Sequence, residues 1–349
     1  MSAALVSIDG AMGEGGGQIL RTALALSAAS GRGFEITRIR AGRLQPGLRP
    51  QHVASVRAAA MVCGARVGGV FEGSPDLRFE PGPVESGDFA FEIATAGALS
   101  LVMQTVLPPL ARAAGSSTVR VTGGTHVPAS PPFHYLAQHW KAAVEPLGLR
   151  ARFTLERAGF YPRGGGEARA AVEPWRPRAE PLVLEDRGAL VELRGTSGAG
   201  RVKGDVAARQ RQAAEALLWE SRRLKSEWTE LDMPAASPGS FVMLEMVFER
   251  SRAAFSLLGQ RGVRAEVLGE RLARTVLRFL EGEAAVDPHL ADQLALPLAL
   301  AGCGGRVATS EVTAHLETVA AVLRLFGIGA SVSGRMGGPG LLLVPPAAR

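Results

Sequence analysis

One pattern occurs three times along the chain. Each copy consists of a strand, a loop rich in Pro, Gly or Ser, a helix, a glycine that ends the helix, and a further strand. The glycines expected at the helix ends are Gly64, Gly148 and Gly327, because glycine readily adopts the left-handed conformation of helix C-termini. Repeats of this length are typical of folds built by duplication. The sequence therefore predicts an α/β (α+β) protein whose large domain consists of repeated βα units.

The segment between the second and third copies has a different organisation. From Leu184 to Leu280 it reads as a strand, a basic amphipathic helix from Val206 to Arg223, a turn, an alternating strand, a hairpin and another helix. A segment with its own strands and helices is expected to fold as a small domain. We therefore predict an inserted small α/β domain at 184–280 and a large domain formed by 1–183 and 281–349.

Charge and cysteine content restrict the possible partners and compartment. The net charge is +6, and 36 arginines accompany only three lysines. Arginine presents a planar fork suited to phosphate oxygens, although the charge alone fits general solubility equally well. Cys63 and Cys303 form no CxxC pair, no apolar run reaches 18 residues, and the first ten residues lack a secretion-signal pattern. These features predict a cytoplasmic protein without a membrane span.

The N-terminal stretch IDGAMGEGGGQILRTALALSAASG is predicted to be a strand end, a glycine-rich loop and a helix. Glycines let backbone N–H groups approach an anion, and a helix N-terminus carries partial positive charge. The stretch matches neither GxxxxGK[ST] nor GxGxxG, so the standard phosphate and dinucleotide loops are excluded. A tight structural turn and a functional loop around Glu14 both remain open.

A second basic stretch, RIRAGRLQPGLRPQH, contains four arginines within 12 positions: Arg38, Arg40, Arg43 and Arg49. If Ile36 to Ala41 is a strand, Arg38 and Arg40 lie on one face of it. A solvated basic edge is one interpretation. The proximity of Gln51 and His52 in the same stretch favours a phosphate site.

Two further segments carry polar residues near predicted helix starts. HLADQLALPLALAG places Asp292 and Gln293 at the start of an apolar helix, where Asp292 is a candidate cap. TAHLET places His315 in the opening turn of the last repeat's helix. No HExxH or paired Cys/His spacing surrounds His315, and the chain has no GxSxG elbow. A capping role and a reacting role for His315 both remain open.

Several motifs together resemble the RNA 3'-terminal phosphate cyclase family: IDGAMGEGGGQILRTALALSA, IRAGRLQPGLRPQH, LVMQTVLPPL, GGTHVPASPP, RAGFYPRGGGE, LADQLALPLALAG and TAHLET. The resemblance implies large-domain units of one sheet with two helices, similar to the C-terminal domain of translation initiation factor three, and a small inserted domain. It also implies conversion of an RNA 3'-phosphate end into a 2',3'-cyclic phosphate with ATP and a divalent metal, Mg or Mn. In that reaction a histidine carries AMP, which then passes to the RNA phosphate.

The resemblance also implies roles for particular residues. His315 would be the nucleophile, and Glu14 the metal ligand. The ATP site would comprise Gln104, Pro131, His289, Leu290, Ala291, Asp292 and Gln293. Phosphates or RNA would contact Arg21, Arg40, Arg43, Gln51 and His52. The chain departs from the family at His289, where a tyrosine is common, and at His126-Val127, where Asp-Asn is common.

The residues of the nucleophile segment bear on the alternatives. No KxDG motif, which lysine-based ligases use, occurs among the three lysines, so a histidine is the better candidate for carrying AMP. A helix N-terminus should keep His315 neutral. The main alternative is a non-catalytic, cyclase-like RNA-binding protein of ribosome assembly, which would lack this histidine. An enolpyruvyl transferase is the second alternative and would not need the LADQ and TAH elements.

Overall fold

The computed structural model describes residues 4–176 and 179–347. Its first sheet has the strand order β1-β2-β4-β3, with β1 and β2 parallel and the other pairs antiparallel. The elements of this unit are β1 (Val6–Asp9), α1 (Gly17–Ser30), β2 (Phe34–Thr37), α2 (Pro50–Cys63), β3 (Arg66–Gly68) and β4 (Leu77–Glu80).

The second sheet has the order β5-β6-β8-β7, again with only its first pair parallel. A π-helix at Tyr135–Trp140 and a 3₁₀ turn at Glu145–Leu147 flank the short α4. The remaining elements are β5 (Asp88–Glu92), α3 (Leu99–Leu110), β6 (Ser117–Gly123), α4 (Lys141–Val144), β7 (Ala151–Arg157) and β8 (Gly166–Val172).

After β9 (Leu182–Leu184) the chain forms a sheet of a different order, β11-β10-β12-β13. Two helices, α5 and α6, pack on it and on each other; a Cβ at Gly269 of α6 would overlap the Gln210 carbonyl of α5, so glycine permits this close approach. The elements are β10 (Leu190–Gly200), α5 (Val206–Arg222), β11 (Glu227–Asp232), β12 (Gly239–Phe248), β13 (Arg252–Leu258) and α6 (Ala265–Glu281).

The chain then returns to β9, which pairs in parallel with β14 in a sheet of order β15-β16-β14-β9. Read from β9, this is the strand order of the first two sheets. The elements are α7 (Pro288–Ala301), β14 (Gly305–Thr309), α8 (Ala314–Leu325), β15 (Ser331–Gly334) and β16 (Gly340–Val344).

The buried side chains of the described residues form two clusters, of which the larger also includes Phe241, Met243 and Ala254 of the β10–β13 sheet. The larger joins the three sheets of common strand order, with α1, α3, α7 and α8 at its centre. The smaller lies between the β10–β13 sheet and α5 and α6, and α6 contributes Leu268, Leu272, Val276 and Phe279 to it. None of the helices in the described ranges is long and apolar enough to cross a bilayer.

The predicted helix ends are confirmed, and two local predictions are wrong. Gly64 and Gly148 are left-handed C-caps, and Gly327 follows α8 with φ +84°. The strand β2 ends at Thr37, and Arg38 and Arg40 have φ values of 55° and 54°, so they do not share a strand face. The strand β12 is buried along nearly its whole length rather than alternating, because both faces of it are covered.

Candidate active site

A cavity of about 450 Å³ is lined by α1, α3, α7, α8 and the segment 129–132. The opposite side is formed by Ala254–Leu257 of β13 and by Leu272 and Thr275 of α6. Seven of the residues expected at the site line it: Arg21, Gln104, Pro131, His289, Asp292, Gln293 and His315. The tertiary fold therefore brings together residues from five separate segments of the sequence.

His315 lies in the first turn of α8, which begins after the N-cap Thr313. The Thr313 hydroxyl accepts a hydrogen bond from Leu316 N at 3.1 Å, so the capping role belongs to the threonine. His315 Nδ1 is 3.3 Å from Glu14 Oε1. Burial lowers the pKa of His315, Glu14 opposes that shift, and Arg21 reinforces it. The imidazole is therefore neutral at pH 7, with Nδ1 facing a carboxylate and Nε2 available.

The glycine-rich loop reaches α8 through Thr318, one turn after the histidine. The Thr318 hydroxyl accepts a hydrogen bond from Glu14 N at 3.2 Å and donates one to Ala314 O at 2.6 Å. Gly13 has φ +55°, and a Cβ there would overlap the Thr318 hydroxyl. The loop thus needs glycine at this position, and its attachment to α8 places Glu14 beside His315.

Arg21 and Asp292 are the charged residues on the inner wall of the cavity. Burial lowers the pKa of Arg21 to about 10, so its guanidinium remains charged at neutral pH; it donates to Gln18 Oε1 at 2.8 Å. Burial and then the negative charge of Asp287 raise the pKa of Asp292 well above its usual range. Within 4–176 and 179–347 the Asp292 carboxyl has no hydrogen-bond partner, which leaves it free to contact a ligand.

The amide side chains of Gln104 and Gln293 are joined across the cavity. Gln104 Nε2 donates to Gln293 Oε1 at 2.5 Å, which links α3 to α7. Pro131 is fixed by its carbonyl, which accepts from the Ser100 hydroxyl at 2.6 Å, and His289 is exposed on the cavity wall. These groups form a polar and apolar wall of the kind that orients a small planar ligand.

The cap of α7 is Asp287, so the alternative interpretation of Asp292 as the cap of this helix is wrong. Asp287 Oδ1 accepts from His289 N at 3.1 Å and Leu290 N at 2.9 Å, whereas Asp292 lies in the second turn. The dipeptide Asp287-Pro288 carries the signal that would have identified this cap, since Asp is favoured at N-cap and Pro at N1.

Asp287 also belongs to a buried polar network that sequence reasoning missed. Its carboxylate accepts hydrogen bonds from Tyr135 Oη at 3.0 Å and from Ala254 N at 3.1 Å. The same carboxylate lies 3.0 Å from His139 Nε2. His139 Nδ1 lies 2.9 Å from Glu245 Oε1. Burial opposes the imidazolium, but the two carboxylates outweigh it and raise the pKa of His139. No local motif could have revealed this network, because Tyr135 and His139 meet Glu245 and Asp287 across more than 100 positions of sequence.

Arg40 and Arg43, which were also expected to bind phosphate, have different positions relative to the site. Arg40 donates to the carbonyls of Gln45 and Gly47 and thereby braces its own loop. Arg43 donates to Glu14 O at 2.8 Å and is 3.4 Å from the Glu14 carboxylate. Arg43 therefore lies beside the candidate nucleophile, whereas Arg40 supports the segment that holds Arg43 in place.

His52 and Gln51 lie in the first turn of α2. His52 Nδ1 accepts from Arg49 N at 3.0 Å, and burial lowers the pKa of His52 to about 3. Its ring lies against Gly17 at the start of α1. Gln51 is half-buried beside Gly97. Neither residue lines the cavity, and His52 has the capping role that the sequence left open for His315.

The side chains of Leu290 and Ala291 are fully buried in the larger core, where they fix α7 rather than line the cavity. His126, at the position that departs from the family, is also buried. Its Nδ1 lies 2.7 Å from the Thr125 hydroxyl and its Nε2 lies 2.9 Å from His134 Nδ1. Burial lowers the pKa of His126, so it is a neutral packing residue and His134 is its partner rather than a cavity residue.

Metal ligands are sparse. Within the described ranges no three or more His, Cys, Asp or Glu side chains form a group that could hold a metal ion. Glu14 is therefore a single carboxylate and not part of a protein cage, which fits the manner in which Mg²⁺ is held by one or two carboxylates together with substrate phosphates.

Comparisons with known proteins identify the family. The family profile described as RNA 3'-terminal phosphate cyclase matches residues 12–331. The chain is similar to proteins with that name from Ralstonia nicotianae (47% identity, 92% of this chain and 91% of the relative), Methylococcus capsulatus (40%, 93% and 91%) and Salmonella agona (42%, 93% and 92%). The chain belongs to the RNA 3'-terminal phosphate cyclase family, as its motifs predict.

A solved enolpyruvyl transferase, NikO from Streptomyces tendae, matches 49% of this chain and 33% of its own at 17% identity. Its TM-score of 0.28 is too low to support any argument about the fold.

Proposed function

We propose that this protein converts RNA 3'-phosphate ends into 2',3'-cyclic phosphates with ATP, through AMP carried on His315. The observation that carries the proposal is the position of His315 on the wall of a cavity formed by the residues expected to bind ATP. Family membership supports the reaction class. The neutral imidazole and the adjacent Glu14 supply the chemistry for the first step.

His315 Nε2 would attack the α-phosphorus of ATP, forming an N–P bond as the bond to pyrophosphate breaks. The Glu14 carboxylate, whose Oε1 lies 3.3 Å from His315 Nδ1, would orient the ring and stabilise positive charge as it develops. An oxygen of the RNA 3'-phosphate would then displace histidine from AMP, and the neighbouring 2'-hydroxyl would displace AMP. Adenylylation is needed because a phosphate monoester is a poor electrophile without a good leaving group.

Arg21 and Arg43 would hold the phosphates, since both guanidinium groups lie near Glu14 and His315. A divalent metal, with Glu14 as its protein ligand, would neutralise phosphate charge. Gln104, Pro131, His289, Asp292 and Gln293 would receive the nucleoside. Gln51, His52 and Arg40 lie outside this wall, and their direct contact with RNA or phosphate stays a prediction.

The finer description of the fold belongs to the same proposal. Three sheets of one strand order support an origin by duplication. The similarity to the C-terminal domain of translation initiation factor three stays a prediction. A separate sheet and a separate core between β10 and α6 support an inserted domain at 184–280.

The test is incubation with ATP and Mg²⁺ or Mn²⁺, followed by intact-mass and peptide mass spectrometry. We expect an acid-labile AMP adduct on the peptide containing His315, and no adduct in His315→Ala. The matched control is His289→Tyr, which alters the cavity wall but keeps the nucleophile and should retain the adduct. An adduct that persists in His315→Ala would rule out His315 as the carrier of AMP. A folded wild-type protein that binds RNA and forms no adduct would favour the non-catalytic alternative.

A further inference from the structure

The loop between β7 and β8, residues 159–166 and hereafter the Tyr161 loop, presents an exposed aromatic side chain. Tyr161 is 65% exposed, whereas the neighbouring Phe160 is 4% and Ala158 is 0% exposed. Neither the loop nor Tyr161 lines the cavity. The Tyr161 ring therefore lies on the surface and is available to a ligand, whereas the preceding Phe160 belongs to the larger core.

The backbone around Tyr161 is held from both sides. The Ser237 hydroxyl accepts a hydrogen bond from Phe160 N at 2.8 Å and lies 3.0 and 3.2 Å from the carbonyls of Phe160 and Gly164. Gly164 has φ +64°, and a Cβ there would lie only 2.8 Å from the Cα of Ala96. The backbone that carries the exposed ring is therefore held in place, so binding of the ring to a ligand costs little backbone conformational entropy.

Arginines surround the Tyr161 loop. Arg157 Nε donates to Gly165 O, and Arg201 Nη1 donates to Ala236 O, each at 3.1 Å. Gly165 and Ala236 are in contact, so these two guanidinium groups flank the same short stretch. Arg163 is an exposed residue of the loop itself. In the part of the chain described here, none of the three arginines lies within ion-pair distance of a carboxylate, which leaves their charge available to an anion.

The loop is connected by contacts to the candidate catalytic region. Gly164 packs on Ala96, and the adjacent Gly97 packs on Gln51 at the start of α2. The following residue, His52, lies against Gly17, where the helix that carries Arg21 begins. The Tyr161 loop is therefore packed, through these residues, against the segments that surround the candidate catalytic region.

We propose that Tyr161, with Arg157, Arg163 and Arg201, binds single-stranded RNA upstream of its 3' end. Tyr161 stacks on a base, and the arginines contact the flanking phosphates. Stacking on an aromatic ring together with basic side chains is the means by which proteins bind single strands with little sequence preference. The proposal rests on the proposed function for its choice of RNA.

Binding of fluorescent RNA by anisotropy, without ATP, tests the proposal independently of catalysis. We expect Tyr161→Ala to weaken binding of a ten-nucleotide RNA 3'-phosphate about five- to hundred-fold, and Tyr161→Phe to bind like the wild type because it keeps the ring. Arg163→Ala should reduce the slope of log K against log salt by about 0.7. A dinucleotide 3'-phosphate has only one nucleotide upstream of its 3' end, and because Tyr161 does not line the cavity we expect it to bind all variants equally.

Self-adenylylation serves as the control, since the Tyr161 loop does not line the cavity proposed for ATP, and it should be unchanged in Tyr161→Ala. Equal RNA affinity of wild type and Tyr161→Ala overturns the proposal, as does an equal loss in Tyr161→Phe and Tyr161→Ala. Absence of an adduct on His315 would instead contradict the proposed function, and the RNA measurements would still decide the role of Tyr161.

Discussion

Replacing His139 with leucine is expected to destabilise the protein by removing a buried cation from between two carboxylates. His139 is fully buried, and Glu245 and Asp287 are 4% and 0% exposed. The side chain bridges the π-helix, the small sheet and the cap of α7. Leucine is close to histidine in volume, so the expected loss is electrostatic and not a cavity effect.

The structure places the magnitude at the lower end of the usual range. Breaking a buried ion pair by removing one partner costs about 3–5 kcal/mol because a charge is left uncompensated. Here Glu245 keeps Arg252 at 3.0 Å, and Asp287 keeps three backbone N–H donors and the Tyr135 hydroxyl. We therefore expect a loss of about 3 kcal/mol in the free energy of unfolding.

The assay is urea unfolding at pH 6.5, followed by tryptophan fluorescence and circular dichroism. The matched control is the double variant His139→Leu with Asp287→Asn. Asparagine keeps an oxygen that caps α7 but removes the buried negative charge, so the double variant should regain part of the loss. A loss below about 1 kcal/mol in His139→Leu, or further destabilisation by Asp287→Asn in that background, would refute the electrostatic reasoning.

Two further predictions concern acidity and the glycine-rich loop. Stability should be greatest near pH 6.5. It falls toward pH 4.5 because His52 and His134, whose pKa values burial lowers to about 3 and about 4, must stay neutral in the folded state while the unfolded chain is protonated. Stability also falls at higher pH, because His139, whose pKa is raised in the folded state, loses its proton. A thermal midpoint that does not change from pH 4.5 to 8.5 would contradict both the acidic and the alkaline loss of stability. Gly17→Ala should reduce the adenylylation rate at least ten-fold, since a Cβ would overlap the His52 ring and lie 2.7 Å from Arg21 Nη1. A wild-type rate of AMP incorporation in this variant would show that the close contact of Gly17 with His52 and Arg21 is not required.

The sequence by itself determined the local elements and the family. The repeated strand, helix and glycine pattern depends on neighbouring residues only, so Gly64, Gly148 and Gly327 could be predicted as helix ends. The family followed from long, unusual motifs that a profile over 12–331 bears out. Local reasoning was wrong where tertiary contacts decide, as for the strand expected through Arg38 and Arg40, and for the cap expected at Asp292.

Only the tertiary structure decided which of three similarly placed histidines faces the cavity. His52, His134 and His315 all follow from the same repeated pattern, yet the first caps its own helix and the second pairs with His126. His315 alone of these three meets Glu14, because Thr318 attaches the glycine-rich loop to α8 across 304 positions of sequence. A local pattern specifies that a histidine begins a helix. Which charges and which space surround that histidine depend on long-range packing, and these set its pKa and its chemistry.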